Sequence, residues 1–249
     1  MRRLLAAIRF LTILPLPETW GITEDDLACS LPWFPAIGLL LGTVAAALAW
    51  GVSMASPPLV TAGVVVVALL GFSGCLHMDG LADSADGLLS SRPRERILEI
   101  MKDSHTGAMG VIAIVCVLLL KFASLASLPA DRLWPAVLLM PLAGRCAIAV
   151  HRTLLPYARP SGLGSVFYRR RTRWAGIWAT GVLAAIAWAI LGWRGLIVWG
   201  GCMTVTVAVS AYVYRKIGGA TGDTFGAVCE LAEVVPALML TIEPLSEVR

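Results

Sequence analysis

Runs of about 20 apolar residues separated by short polar stretches dominate the chain and predict membrane-spanning helices near 31–54, 59–76, 108–128, 134–150, 174–191, 196–214 and 226–242. The breaks at Pro57-Pro58, Asp131-Arg132 and Trp193-Arg194 are so short that tight hairpins or re-entrant segments fit them as well. The pattern therefore predicts an all-α, polytopic helical bundle of about seven transmembrane helices, with six to eight as the range. Two further stretches have a different period. In MRRLLAAIRFLTILPLP, Leu4, Ile8 and Leu11 share one helical face and Arg2 and Arg9 another, which predicts an amphipathic helix on the bilayer surface, ended by Pro15 and Pro17. In ERILEIMKD (95–103), Ile97, Ile100 and Met101 recur at helical spacing and predict a second surface helix.

Composition supports this solvent. Charged residues are 14% of the chain, against about 25% in soluble domains, and 58% of positions are hydrophobic, which excludes both an ordinary soluble protein and a disordered one. Arg9 interrupts the first apolar stretch and no small-residue cleavage site follows, so that stretch reads as the interfacial helix rather than as a signal peptide. The six cysteines form no CxxC pair and lie mostly in apolar runs, as small hydrophobes do. Charge placement is more informative than the net +4. Fifteen Lys and Arg fall in the first tail and in loops 77–107, 151–173 and 215–225, whereas only Arg132, Arg194 and Arg249 fall on the opposite side. That asymmetry predicts a cytoplasmic N-terminus and three cytoplasmic loops. Nothing suggests nucleic-acid binding or a transporter-type internal repeat, and 1–249 reads as one membrane-embedded catalytic domain.

The polar chemistry collects in two places. In HMDGLADSADGLLSSRPRERILEIMKDSHTGAMG (77–110), Asp79, Asp83 and Asp86 stand at i, i+4 and i+7, so a helix continuing from the second span puts three carboxylates on one stripe. Like charges so placed repel, and a hard divalent cation, Mg²⁺ or Mn²⁺, that also bridges substrate phosphates removes the penalty. The alternative is a solvated acidic loop with Asp-Gly turns. Gly80 and Gly87 open the backbone to a bulky ligand, and Arg94, Arg96, Lys102, Asp103 and Ser104 supply cations and small polar groups suited to phosphate oxygens. A basic loop facing anionic lipid explains the arginines equally well. His77 and His105 are candidate metal ligands but read better as hydrogen-bonding groups, His77 as a substrate contact, and His151 reads as topological.

The second place is GGATGDTFGAVCELAE (218–233). Thr221 and Gly222 lie in a turn rich in backbone N–H groups, the kind of donor set that binds phosphate at a helix start. Asp223 and Glu230 are seven residues apart on one face and are further candidate metal ligands. Glu230 and Glu233 fall within an apolar segment, where ionisable groups usually face a functional interior. Pairing of these carboxylates with Arg145, itself inside a span, is the competing explanation.

DGLADSADG, the MKDS run with its following glycines, GGATGDTFGAVCE and the opening FLTILPLP together resemble the cobalamin synthase family, the adenosylcobinamide-GDP ribazoletransferases. The resemblance implies a membrane enzyme of the prokaryotic cytoplasmic membrane that requires Mg²⁺. A hydroxyl of α-ribazole, or of its 5′-phosphate, attacks the phosphate carried by cobinamide in adenosylcobinamide-GDP, and GMP leaves. It further implies that Asp79, Asp83 and Asp86 are catalytic metal ligands, or that one of them instead accepts the hydroxyl proton, with Asp223 and Glu230 completing the metal site or orienting the ribazole and Arg94, Arg96 or Lys102 meeting phosphate. Other enzymes of the same pathway are implied as partners. His105 departs from the family pattern, which has Arg there. Two rivals remain. DGLAD is similar to the start of the CDP-alcohol phosphotransferase signature, although Asp83 stands where that signature has Arg. An ion-coupled transporter is the other, although the polar groups cluster in loops rather than at the midplane.

Overall fold

The structure is a computed structural model that describes residues 1–17, 20, 22–170 and 174–242. Arg171, Arg173 and Arg249, which enter the charge count above, lie outside the described residues. Eleven α-helices follow in order: α1 Arg2–Leu11, α2 Glu24–Ala28, α3 Phe34–Ser53, α4 Pro58–Phe72, α5 Leu76–Leu88, α6 Arg94–Ile100, α7 Ala108–Ser127, α8 Ala130–Leu154, α9 Trp174–Leu191, α10 Trp193–Ile217 and α11 Gly222–Leu240. Among the connections are the 3₁₀ turns Leu31–Trp33 and Leu163–Tyr168. The described residues contain no strand, only an isolated bridge between Tyr157 and Ala220. This is an all-α membrane bundle.

Among the described residues five helices are long and apolar enough to cross a membrane, namely α3 with its 3₁₀ lead-in, α7, α8, α9 and α10, and a sixth crossing results if the bent pair α4 and α5 is counted as one. The expected span at 226–242 is α11, which carries Asp223, Glu230 and Glu233 and turns them inward, so an apolar count passes over it. The helices expose the apolar surface that lipid requires, for instance Val67, Leu119 and Ile177. Exposed Trp50, Trp134, Trp174 and Trp193 sit at helix ends, as interfacial aromatics do.

α8 is the central post, with 78% of its apolar window buried. α3 reaches it through Gly38 and Gly42, a small-xxx-small step: a Cβ on Gly42 would lie 2.1 Å from the Leu138 carbonyl oxygen, and one on Gly38 2.7 Å from that of Pro141. α11 packs on the opposite side, with Gly144 against Cys229 and Glu233.

Two expected helix boundaries move. α1 stops at Leu11, ahead of Pro15, because Thr12 is extended, its hydroxyl donates to Ile8 O at 2.8 Å, and the next amide, of Ile13, donates to Phe72 O at 3.0 Å. The chain is thereby drawn onto the end of α4. The second span likewise does not run on into the acidic stripe. Gly74 and Cys75 take φ of 58° and 61°, and α5 leaves at 87° to α4. Gly adopts that conformation readily, while a side chain there costs about 1 kcal/mol or more. α5, at 13 residues, is too short to cross alone and packs instead along the first turns of α11 and α7. α6 forms as expected, burying Ile97 and Met101.

Candidate functional site

The acidic stripe is real. α5 presents Asp79 exposed and Asp83 and Asp86 half-buried, on the face away from Leu81, Ala85 and Leu88, which are buried. Its other close approach is to α11: a Cβ on Gly80 would lie 2.7 Å from the Asp223 carbonyl oxygen, and one on Gly226 2.6 Å from that of His77. Gly80 therefore admits a helix rather than a ligand to its Cα. That contact brings Asp223, from the far end of the sequence, beside the stripe.

Four carboxylates now share one region. Burial, then Asp79, Asp223 and Asp86 in turn, push the Asp83 carboxyl up to about 6, with Arg159 pulling the other way. Asp223 is also raised, chiefly by burial, and Arg159 and Thr221 oppose the rise. Among the described residues no three His, Cys, Asp or Glu side chains already converge closely enough to hold an ion.

A cavity of about 240 Å³ opens between α5, the start of α11 and the 157–164 segment, lined by His77, Asp79, Gly80, Tyr157, Arg159, Gly164, Gly222, Asp223 and Gly226 among others. The local backbone explains this gathering. Ala158 N donates to Ala220 O and Ala220 N to Pro156 O, both at 2.8 Å, which clips the 155–159 segment to the turn preceding α11. Thr221 and Thr224 then cap α11 reciprocally, so Gly222 and Asp223 occupy its first turn. Arg159 Nη2 lies 2.7 Å from Asp223 Oδ2. Four buried polar atoms on three residues that line the cavity, His77 Nε2, Tyr157 OH and Arg159 Nε and Nη2, have no hydrogen-bond partner in the structure. Buried polar atoms are normally satisfied, so unpartnered atoms on residues lining one cavity suit a polar ligand.

The other expected residues take different places. Asp86 accepts from Gly107 N at 2.6 Å and Gly110 N at 2.8 Å, and caps α7. The glycines are there because a Cβ on either would sit 2.5 Å from an Asp86 oxygen. Arg94 does not face the cavity: its Nε donates to Ile217 O and its Nη2 to Ala158 O, both at 2.8 Å, tying the ends of two segments together. Arg96 pairs with Glu99 at 2.8 Å on the surface of α6. Lys102, Asp103 and Ser104 are exposed on the following turn, where Asp103 accepts from the His105 amide. Thr221 is a helix cap, while His77, Gly80 and Gly222 line the cavity.

Glu230 is not brought to the aspartates. Lys121 Nζ lies 2.6 Å from Glu230 and 2.7 Å from Glu233, and Arg145 pairs with Glu233, all with side chains at most 5% exposed. Arg145 thus pairs with Glu233 and not with the Asp223 and Glu230 pair expected for it, whose partners are Arg159 and Lys121. Sequence reasoning placed Arg159 only within a basic loop and gave Lys121 no partner. The legible signals were an arginine set apart between Ala158 and Pro160, and a lone lysine in an apolar span.

Comparison with known proteins gives a consistent result. The family description "Cobalamin-5-phosphate synthase" matches residues 3–241. A Roseiflexus sp. (strain RS-1) protein named adenosylcobinamide-GDP ribazoletransferase is 42% identical over 238 residues, covering 95% of this chain and 88% of its own. Proteins of the same name from Desulfitobacterium hafniense (strain Y51), 39% identical over 94% of each chain, and Pseudomonas putida (strain GB-1), 37% identical over 96% of this chain and 98% of its own, also match. No solved structure matches.

Proposed function

The chain belongs to the cobalamin-5-phosphate synthase family, and on that premise we propose that the cavity beside α5 and α11 is where it transfers the cobinamide phosphate of adenosylcobinamide-GDP to α-ribazole or its 5′-phosphate. A hydroxyl oxygen of the ribazole forms a new bond to the phosphorus attached to cobinamide. The bond from that phosphorus to the oxygen of GMP breaks, and GMP departs with the bonding pair. The hydroxyl proton passes to a base. Such transfers depend on positioning and on neutralising charge rather than on covalent catalysis.

The observation that carries this reading is a group of four carboxylates of which Asp79 and Asp223 line a cavity with unpartnered buried polar atoms, while Asp83 stands one helical turn from Asp79 and is crowded by the other three. An all-oxygen anionic donor set of this kind fits Mg²⁺ or Mn²⁺ better than a softer metal. Asp79, Asp83 and Asp223 would hold the ion, and when bound it supplies charge neutralisation at the pyrophosphate. In the free protein burial and its three neighbours raise the Asp83 carboxyl, and a bound divalent cation would relieve that repulsion. His77 and Tyr157 orient the substrate through their unpartnered atoms. The loop charge asymmetry supports a cytoplasmic site, in the cytoplasmic membrane of a prokaryote. GMP release from adenosylcobinamide-GDP by the purified protein, dependent on both α-ribazole phosphate and divalent metal, tests the proposal. A well-folded protein that releases none refutes it.

A further inference from the structure

Among the described residues, Arg159 is the one Lys or Arg that lines this cavity. Its side chain is 9% exposed, it lines the cavity, and its Nε has no acceptor in the structure. Its partner Asp223 lies at 2.7 Å, yet the Nη2 contact lacks hydrogen-bond alignment. Guanidinium binds carboxylate and phosphate through a planar fork, and here the Nε–H of that fork has no acceptor. The backbone beneath it is held: the clip between 156–158 and Ala220 fixes where Arg159 emerges, and the Thr221 cap fixes where Asp223 emerges. Only the side chains are left to exchange partners.

Asp223 occupies the first turn of α11, where the helix dipole stabilises an anion of any kind. A phosphate entering the cavity would meet the same favourable field and the same guanidinium, and would compete with Asp223 for both. We infer that the Arg159–Asp223 ion pair is a substrate-opened latch: a pyrophosphate-bearing substrate takes Arg159 from Asp223, and the released carboxylate turns to the divalent cation that accompanies the substrate. This rests on the reaction assigned above and adds to it a phosphate-binding residue and an order of events. In the free protein each member neutralises the other. In the complex both gain a partner of greater charge.

The latch makes a prediction of opposite signs for its two members. GDP binding to the purified protein in detergent, measured by calorimetry in EDTA, isolates the phosphate step from turnover and from metal. Asp223→Asn removes the competitor and binds GDP about fivefold to tenfold tighter than wild type. Arg159→Gln binds at least tenfold more weakly, Arg159→Lys falls between, and the Arg159→Gln/Asp223→Asn double variant matches Arg159→Gln. With Mg²⁺ added, wild type gains GDP affinity and Asp223→Asn gains less. Thermal melting of each variant establishes that it is folded, and inorganic pyrophosphate replaces GDP to separate phosphate recognition from guanine recognition. Were the pair only a structural tie, both single variants would loosen the same loop and weaken binding together, and that result overturns the latch while leaving the reaction standing. GDP and pyrophosphate binding that is unaffected by Arg159→Gln overturns it as well. Failure of the reaction itself would show separately, as wild type that releases no GMP.

Discussion

Lys121→Met tests whether Glu230 belongs to the architecture or to the metal site. In the wild type, Lys121 and Arg145 face Glu230 and Glu233, two positive against two negative charges with side chains at most 5% exposed. The methionine leaves Arg145 alone against both carboxylates and strips Glu230 of the partner that stands at 2.6 Å. Breaking one side of a buried pair costs about 3–5 kcal/mol, because the remaining charge stays desolvated. For a chain of this size that corresponds to a fall of roughly 6–20 °C in melting temperature. The double variant Lys121→Met/Glu230→Gln restores balance, one positive against one negative, and recovers most of the loss. Thermal unfolding in detergent, followed by tryptophan fluorescence, reads the series. In parallel, Glu230→Gln alone keeps the metal dependence of turnover unchanged. Melting of Lys121→Met within a degree or two of wild type, or loss of metal response in Glu230→Gln, would refute the reasoning.

Two other perturbations probe the acidic stripe. The Asp83 carboxyl is raised from 3.8 to about 6, so the folded chain binds more protons than the unfolded one between those values and loses stability as pH rises through that window. The displacement is worth about 3 kcal/mol before screening and about 1 kcal/mol at a half-exposed group. In EDTA above pH 7, Asp83→Asn should therefore melt higher than wild type and lack the decline between pH 4 and 6, and equal stability at both ends would contradict the crowding. Asp86→Ala removes both acceptors at the start of α7 and should cost about 1–2 kcal/mol, with faster amide hydrogen exchange at Gly107 and Gly110, while Asp86→Asn retains part of the cap. Unchanged exchange at those two amides would refute the capping role.

What the sequence made legible was local. The stripe of Asp79, Asp83 and Asp86 follows from helical period alone, and so do the apolar spans and the surface faces of α1 and α6. What it concealed depends on pairs far apart in the chain. Asp86 reads as one more ligand until the chain folds back over 21 to 24 residues to place the α7 amides on it. Arg94 reads as a phosphate contact because the carbonyls that occupy it, at Ala158 and Ile217, are 64 and 123 positions away. Arg159 and Asp223 are likewise brought together by the clip at Ala220. The 87° turn between α4 and α5 depends on two left-handed residues, of which only Gly74 leaves a local signal. Lys121 was visible as a lone cation in an apolar run, but its two carboxylate partners are given only by the packing of α7 on α11.

The central claim is that the aspartates of α5 serve metal-dependent transfer of cobinamide phosphate to α-ribazole. GMP release by the purified protein in lipid-supplemented detergent, with adenosylcobinamide-GDP and α-ribazole phosphate, in Mg²⁺ or in EDTA, for wild type and Asp83→Asn, tests it most directly. The account predicts release by wild type in Mg²⁺, none in EDTA, and a loss of at least a hundredfold in Asp83→Asn, whose fold is intact by melting. Full activity in Asp83→Asn, or no release from folded wild type, would contradict it.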